Sequence, residues 1–290
     1  MTTELLTLPD GRSLELSVIG PDRGTPLLYH HGTPGGGTPP RFLQREVVGR
    51  GLRLVSFSRP GYGDSTRRQG RTVAQVVEDT QAVLEHIGAD RSLVAGWSGG
   101  GPHALACAAL LPEVRGTLVM AGVGPYGKTD LDFYAGMGTD NLEEFGAARS
   151  GESALRAYLI EQAPGLADTD AAGIVEAMST LLPSVDRDVL TDEYGEDQAA
   201  SFKQALRHGI DGWLDDDLAF VDGWGFDLAD ITTPVHLWQG ELDKMVPAEH
   251  GAWLAEHIPG VKAHLLPGEG HLSLVLGGIG PMLDDVVRSR

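Results

Sequence analysis

Gly96-Trp97-Ser98-Gly99-Gly100 sets a serine among small neighbours in the spacing G-x-S-x-G. A short apolar run at Ser92–Ala95 precedes it as a strand, and a small-residue helix, Pro102–Leu111, follows. A sharp strand-to-helix turn strains its central residue and presents that side chain outward. Side chains two positions to either side would collide, which explains glycine at 96 and 100. The helix N-terminus behind Ser98 adds backbone N–H groups and the positive end of a dipole where an oxyanion would form. The chemistry to expect is nucleophilic attack by a serine hydroxyl.

That hydroxyl is a weak nucleophile, so a base must take its proton and a third group must orient the base. His271, in Gly268-Glu269-Gly270-His271, follows a strand pattern at Lys262–Leu266, and Asp243, in Gly240-Glu241-Leu242-Asp243, follows one at Val235–Gln239. Both fall in loops after the carboxyl ends of strands, the edge where open α/β sheets place their sites. Ser98, Asp243 and His271 are therefore the candidate nucleophile, acid and base. Asp130 or Asp132 is the competing acid, Glu269 reads as a loop carboxylate, and His103 as a helix-face residue. An oxyanion needs two preorganised donors. One is the N–H of Gly99, and the loop His31-Gly32-Thr33-Pro34-Gly35-Gly36 supplies the other. Pro34 has no N–H, so Thr33 is the first choice and Gly32 the second. Trp97 and Gly32 are candidate pocket residues. The loop lacks the Lys and Ser/Thr ending of a phosphate loop, which disfavours nucleotides. His30 and His31 lack spaced partners for a metal. No metal and no cofactor are expected.

The elements that must position these residues form a rhythm. Leu14–Ile19, Pro26–His30 and Leu52–Phe57 read as strands, Thr72–Ile87 as a helix, and Arg115–Ala121 as a strand after the Ser98 region. Strands alternating with helices predict an α/β fold, with a parallel sheet covered on both faces. From Pro125 to about Val221 the rhythm stops. Only helical patterns remain, at Ser153–Gln162, Ala171–Leu182 and Asp197–His208, punctuated by Pro164-Gly165, Pro183, Gly195 and Gly209. The alternation then resumes with Val235–Gln239, the helix Ala248–Ile258, and Lys262–Leu266. The expected organisation is a core at 1–124 and 226–290, with a helical insertion at 125–225.

The chain has 290 residues, 41% of them hydrophobic and 22% charged, as in an ordinary globular protein. Cys107 is the only cysteine, which excludes an intramolecular disulfide. No signal-peptide pattern is read at the N-terminus, and no apolar run reaches the roughly 18 residues of a membrane span. A cytoplasmic protein without membrane contact is the expectation. The net charge is −19, and 125–225 holds six basic against 21 acidic residues, a balance of −15. Nucleic acid is excluded as a partner for want of clustered Lys and Arg. The acidic residues either solvate outer helix faces or set a field over the entrance, favouring a small, mainly apolar substrate that is neutral or cationic. The run Asp215-Asp216-Asp217 is the candidate for such a position at the mouth.

Together these residues resemble the α/β-hydrolase superfamily, in its serine-nucleophile branch with a helical cap between core strands six and seven. The resemblance covers nearly the whole chain. It includes His31-Gly32-Thr33-Pro34-Gly35, Arg59-Pro60-Gly61-Tyr62-Gly63-Asp64-Ser65, the Ser98 turn, Asp243 and His271. It implies that 125–225 is a cap and that Arg59–Ser65 is a structural turn beside the pocket. Ser98 argues against the haloalkane dehalogenase and epoxide hydrolase branches, whose nucleophile is Asp. The turn also departs from the Gly-Gly-Ser-Trp-Gly form of proline iminopeptidases. The implied activity is cleavage of a carboxylic ester or similar acyl compound through an acyl-enzyme. Carbon–carbon bond hydrolysis and cofactor-free peroxidase chemistry on the same triad are alternatives, as is a ligand sensor of the same fold.

Overall fold

The computed structural model describes residues 2–178 and 180–289. Its strands are β1 (Thr2–Thr7), β2 (Ser13–Ile19), β3 (Pro26–His30), β4 (Arg53–Phe57), β5 (Ser92–Trp97), β6 (Val114–Met120), β7 (Val235–Gly240) and β8 (Lys262–Leu266). They form one sheet in the order β1-β2-β4-β3-β5-β6-β7-β8. β1 and β2 are antiparallel, and from β4 to β8 every pairing is parallel. β1 has no counterpart in the expected elements. It joins β2 through the Asp10-Gly11 turn, where Gly11 takes φ +86°.

Helices α1 (Arg41–Gly49), α2 (Val76–His86) and α3 (Gly100–Leu110) precede the insertion. α4 (Thr139–Ser150), α5 (Glu152–Ala167), α6 (Ala171–Ala177), α7 (Ser184–Asp188), α8 (Asp192–Ala205) and α9 (Asp211–Val221) lie between β6 and β7. α10 (Ala248–His257) and α11 (His271–Val287) follow. Side chains on a strand point alternately to its two faces, and neighbours on the central strands here enter separate cores. Leu27, Leu93 and Leu118 pack with Leu43 and Val47 of α1 and Leu274 and Val275 of α11. Leu28, Val94 and Val119 pack with Leu84 of α2, Leu105 of α3 and Leu254 of α10. The continuous apolar runs of β3 and β5 follow from this, since both strands are buried along their whole length.

The stretch between β6 and β7 is helical, with two departures from the expected pattern. α5 runs through Pro164 to Ala167, so that proline does not end the helix. The helix expected at Ala171–Leu182 is shorter, ending as α6 at Ala177, and Ser179 lies outside the described residues. Arginines from before β5 grip this helical stretch. Arg41 pairs with Asp197 at 2.6 Å, Arg45 with Glu193 at 2.6 Å, and Arg67 with Asp215 at 2.8 Å. Among the described residues no helix is long and apolar enough to cross a membrane.

Candidate active site

β5 ends at Trp97 and α3 begins at Gly100, so Ser98 sits at the turn between them, in the left-handed region at φ +56°. A serine pays for that conformation with steric strain that the surroundings must hold in place. Its N–H donates to Met120 O of β6 at 2.9 Å, pinning the turn to the neighbouring strand. A methyl on Gly96 would run into Gly100 O, and one on Gly100 into His30 O. Both glycines are thus required by close backbone approach.

Asp243 lies in the loop after β7. Its Oδ1 accepts the N–H groups of Met245 at 2.8 Å and Val246 at 2.9 Å, while Gln239 Nε2 donates to Oδ2 at 3.3 Å. That same Oδ2 is 2.7 Å from His271 Nδ1, and both side chains are buried. A carboxylate facing Nδ1 assigns the proton to that nitrogen and leaves Nε2 as the basic one. Burial alone would lower the His271 pKa. The charge and hydrogen bond of Asp243, with the charge of Asp186, outweigh burial and hold it above the ordinary value. The Trp97 indole stacks on the imidazole, with ring centroids 5.4 Å apart.

Ser98, His271, Trp97, Gly99, Gly32 and Thr33 all line one cavity of about 230 Å³, with Asp243 behind His271. Thr33 and Gly99 are so close that a methyl on Gly99 would meet the Thr33 hydroxyl. That hydroxyl donates to Asp216 Oδ2 at 2.8 Å. The competing acids lie elsewhere: Asp130 is exposed and 3.2 Å from His257 Nε2, and Asp132 Oδ1 accepts the Tyr134 N–H. His103, on α3 as expected, is fully buried, with Nδ1 2.9 Å from Gly99 O. Burial pushes His30 down to about 3, leaving it neutral, and pushes the Cys107 thiol up to about 12. Among the described residues no group of His, Cys, Asp or Glu is arranged to hold a metal.

The run Asp215-Asp216-Asp217 is neither at an open mouth nor on an outer face, because all three residues are buried. Asp215 pairs with Arg67. Asp216 is 2.6 Å from both Arg59 Nη2 and Arg71 Nη1 and accepts the Tyr62 hydroxyl at 2.9 Å. Arg59 in turn donates to the carbonyls of His31 and Gly32 and to Thr33 Oγ1, so guanidinium and carboxylate together hold the 31–36 loop. Asp217 lines the cavity beside Glu144, which accepts the Trp213 indole N–H at 2.8 Å. Burial and the nearby Glu144 raise Asp217 well above the usual carboxylate range, and burial raises Glu144 as well.

Three of these groups carry weight that the sequence reading did not assign. A helix turns about 100° per residue, so three consecutive acids span some 200° of arc. On a helix that also buries Trp213, Leu214 and Phe220 they cannot all face water, and that was a usable signal. Arg59 stood in a recognised turn, but nothing local marks it as the partner of Asp216. Asp186 of α7 is fully buried and accepts the N–H groups of His271, Leu272 and Ser273, with no sequence signal linking it to them.

Comparison with known proteins agrees with this architecture. A family model described as "alpha/beta hydrolase fold" matches residues 25–277. An uncharacterized hydrolase, YcgS, from Bacillus subtilis is 25% identical over 91% of this chain and 89% of its own. A proline iminopeptidase from Xanthomonas citri is 25% identical over 92% and 89%. A 2-hydroxy-6-oxononadienedioate/2-hydroxy-6-oxononatrienedioate hydrolase from Comamonas testosteroni is 23% identical over 84% and 80%. Among solved structures, a hydrolase from Pseudomonas aeruginosa superposes with TM-score 0.72 at 18% identity, covering 98% of both chains. A bromoperoxidase from Bacillus anthracis superposes with TM-score 0.71 at 21% identity, covering 99% of this chain and all of its own. With a family match spanning most of its length, and a parallel sheet that turns into a helix at Ser98, the chain belongs to the α/β-hydrolase fold family.

Proposed function

We propose that this protein is a serine hydrolase that cleaves a carboxylic ester or similar acyl compound through an acyl-enzyme. The observation that carries the reading is the 2.7 Å contact of His271 Nδ1 with Asp243, with Ser98 held at φ +56° in the same cavity. His271 Nε2 takes the Ser98 proton as Oγ attacks the acyl carbonyl, and Asp243 steadies the imidazolium that forms. Backbone N–H groups of Gly99 and Thr33 stabilise the oxyanion. Collapse of the tetrahedral adduct expels the leaving group, which receives the proton from His271. Water, activated by the same base, then releases the acid and restores Ser98.

The helical insertion acts as a cap that selects the substrate. Its cavity wall is largely apolar, with Phe145, Phe202 and Phe220, yet it also presents Asp140, Glu144 and Asp217. No Lys or Arg lines the cavity among the described residues. A neutral or cationic acyl compound suits that lining, and a dicarboxylate such as the Comamonas relative's named substrate does not. A second reading, amide cleavage beside a protonated amine, is supported by the same carboxyls and by the iminopeptidase relative. Ser98→Ala should abolish turnover of a chromogenic short-chain ester, a loss of roughly 10⁶-fold, with the fold intact. A fluorophosphonate should label the wild type at Ser98, and labelling at another serine would overturn the assignment. Comparing an aminoacyl nitroanilide with the matching ester separates the two readings.

A further inference from the structure

We propose that Asp186, carried by the insertion, is a positioning residue for His271: it grips the first turn of the histidine's helix and holds a second negative charge beside the imidazole. The inference rests on His271 being the base of the proposed reaction. α11 begins at His271, where backbone N–H groups have no partner within the helix. An N-cap side chain from the preceding residue normally takes one of them, but that residue is Gly270 and offers nothing. Asp186 takes three instead, from a position 85 residues away in the chain. Oδ2 accepts the His271 N–H at 2.9 Å, and Oδ1 accepts those of Leu272 at 3.0 Å and Ser273 at 2.9 Å. The carboxylate lies so close that a methyl on Gly270 would run into it. The orientation of the helix carrying the base is therefore fixed by the insertion, not by the core alone.

The charge matters beside the hydrogen bonds. His271 is faced by Asp243 from the loop after β7 and by Asp186 from α7. Glu269 precedes it in the loop, and Trp97 of β5 and Tyr194 of α8 pack beyond the ring. Burial keeps Tyr194 neutral, and no Lys or Arg lines the cavity among the described residues. An imidazolium formed during turnover thus feels both carboxylate charges from a buried position, where such charges interact strongly. The sign follows: removing the Asp186 charge lowers the His271 pKa and weakens it as a base.

Asp186→Asn separates this role from simple capping. Asparagine keeps one acceptor oxygen for the Leu272 and Ser273 N–H groups but loses the charge and the acceptor for the His271 N–H. A purely structural cap would thus be weakened, lowering the melting temperature, without moving the His271 titration. Positioning with charge predicts a kcat lower by about tenfold, KM within about twofold, and the acid limb of kcat/KM moved down by roughly 0.5–1 pH unit. ¹⁵N NMR titration of the His271 ring, identified by its loss in His271→Gln, should show the same downward shift without any turnover. That second readout distinguishes failure of this inference from failure of the reaction assignment. Should Asn at this position prevent folding, Asp186→Ser keeps a small acceptor, loses the charge, and carries the same expectation. An unchanged acid limb and an unchanged His271 titration, with only the melting temperature lowered, would reduce Asp186 to an ordinary helix cap and overturn the proposal.

Discussion

Asp243 is held by two backbone N–H groups and Gln239 before it meets His271, so the carboxylate is aimed rather than free to rotate. An amide in its place would present an N–H where the imidazole needs an acceptor and would favour the wrong tautomer. Asp243→Asn should therefore lower kcat by roughly 10⁴-fold while leaving the melting temperature nearly unchanged. The comparison is with Asp130→Asn and Asp132→Asn, whose carboxylates lie away from His271 and whose activity should stay near that of the wild type. The raised His271 pKa also sets a pH dependence. Only the neutral imidazole can accept the serine proton, so kcat/KM should rise with pH through a value above the ordinary imidazole value of about 6.5. The same shift links to stability with a definite sign. The protonated ring's contribution is complete below about pH 6.5 and disappears as pH rises through the folded value. An acid limb below that ordinary value would contradict the two-carboxylate environment. That Asp243 meets His271 beside the cavity of Ser98 was legible, because the proposed chemistry demands a serine between glycines, then an acid and a histidine after later strands. Asp186 was not legible, because a backbone N–H accepts any carboxylate that the fold brings near.

β3 and β7 occur where periodicity placed them, since a strand buried on both faces must be an apolar run and little else looks like one; β8 also falls where expected, as the largely exposed edge strand. The insertion was harder to read. α9 carries three acids in succession on a helix packed against core and insertion alike, and its buried charges find partners only in three dimensions. Asp216 shows what such an element does. Burial would raise its pKa, but Arg59 and Arg71 hold it well below the carboxylate range. Its contribution to stability is present above about pH 3.9 and is lost as pH falls through the folded value. Asp216→Asn leaves two buried guanidinium groups short of their counter-charge, which costs about 3–5 kcal/mol, a melting point lower by roughly 6–10 °C. Arg59 then loses one of the anchors through which it holds the His31 and Gly32 carbonyls, so kcat should fall further than KM changes. Replacing Glu193, on the exposed Arg45 pair, should leave both the melting temperature and kcat nearly unchanged. If the two variants behaved alike in both scans, the buried network would be no more than packing.

A net charge of −19, with −15 of it in one third of the chain, suggests a long-range field, yet much of that charge is neutralised internally. Arginines at 41, 45, 59, 67 and 71, all in the core sequence, pair with acids of the insertion, so the imbalance first serves to seat one part of the molecule on the other. What remains for selection is local: Asp140, Glu144 and Asp217 on the cavity wall, the last two held above the usual carboxylate value by burial. Distance and burial then decide how salt acts. Mobile ions screen exposed charges beyond a Debye length, about 10 Å at 0.1 M and about 3 Å at 1 M, but screen charges lining a buried cavity much less. A cationic ester should have a higher kcat/KM than an anionic ester of equal size, and most of that preference should survive 1 M salt. Asp217→Asn keeps the shape of the wall and removes the carboxyl that burial and Glu144 hold above its usual value. A carboxyl held that way contributes less charge than an ordinary one, and Glu144 is left to carry the charge, so the preference should persist. Replacing both, as Glu144→Gln with Asp217→Asn, removes that charge and should narrow the ratio at every ionic strength. A preference that vanished in salt, and was untouched by the double variant, would return selection to the outer field of the whole molecule.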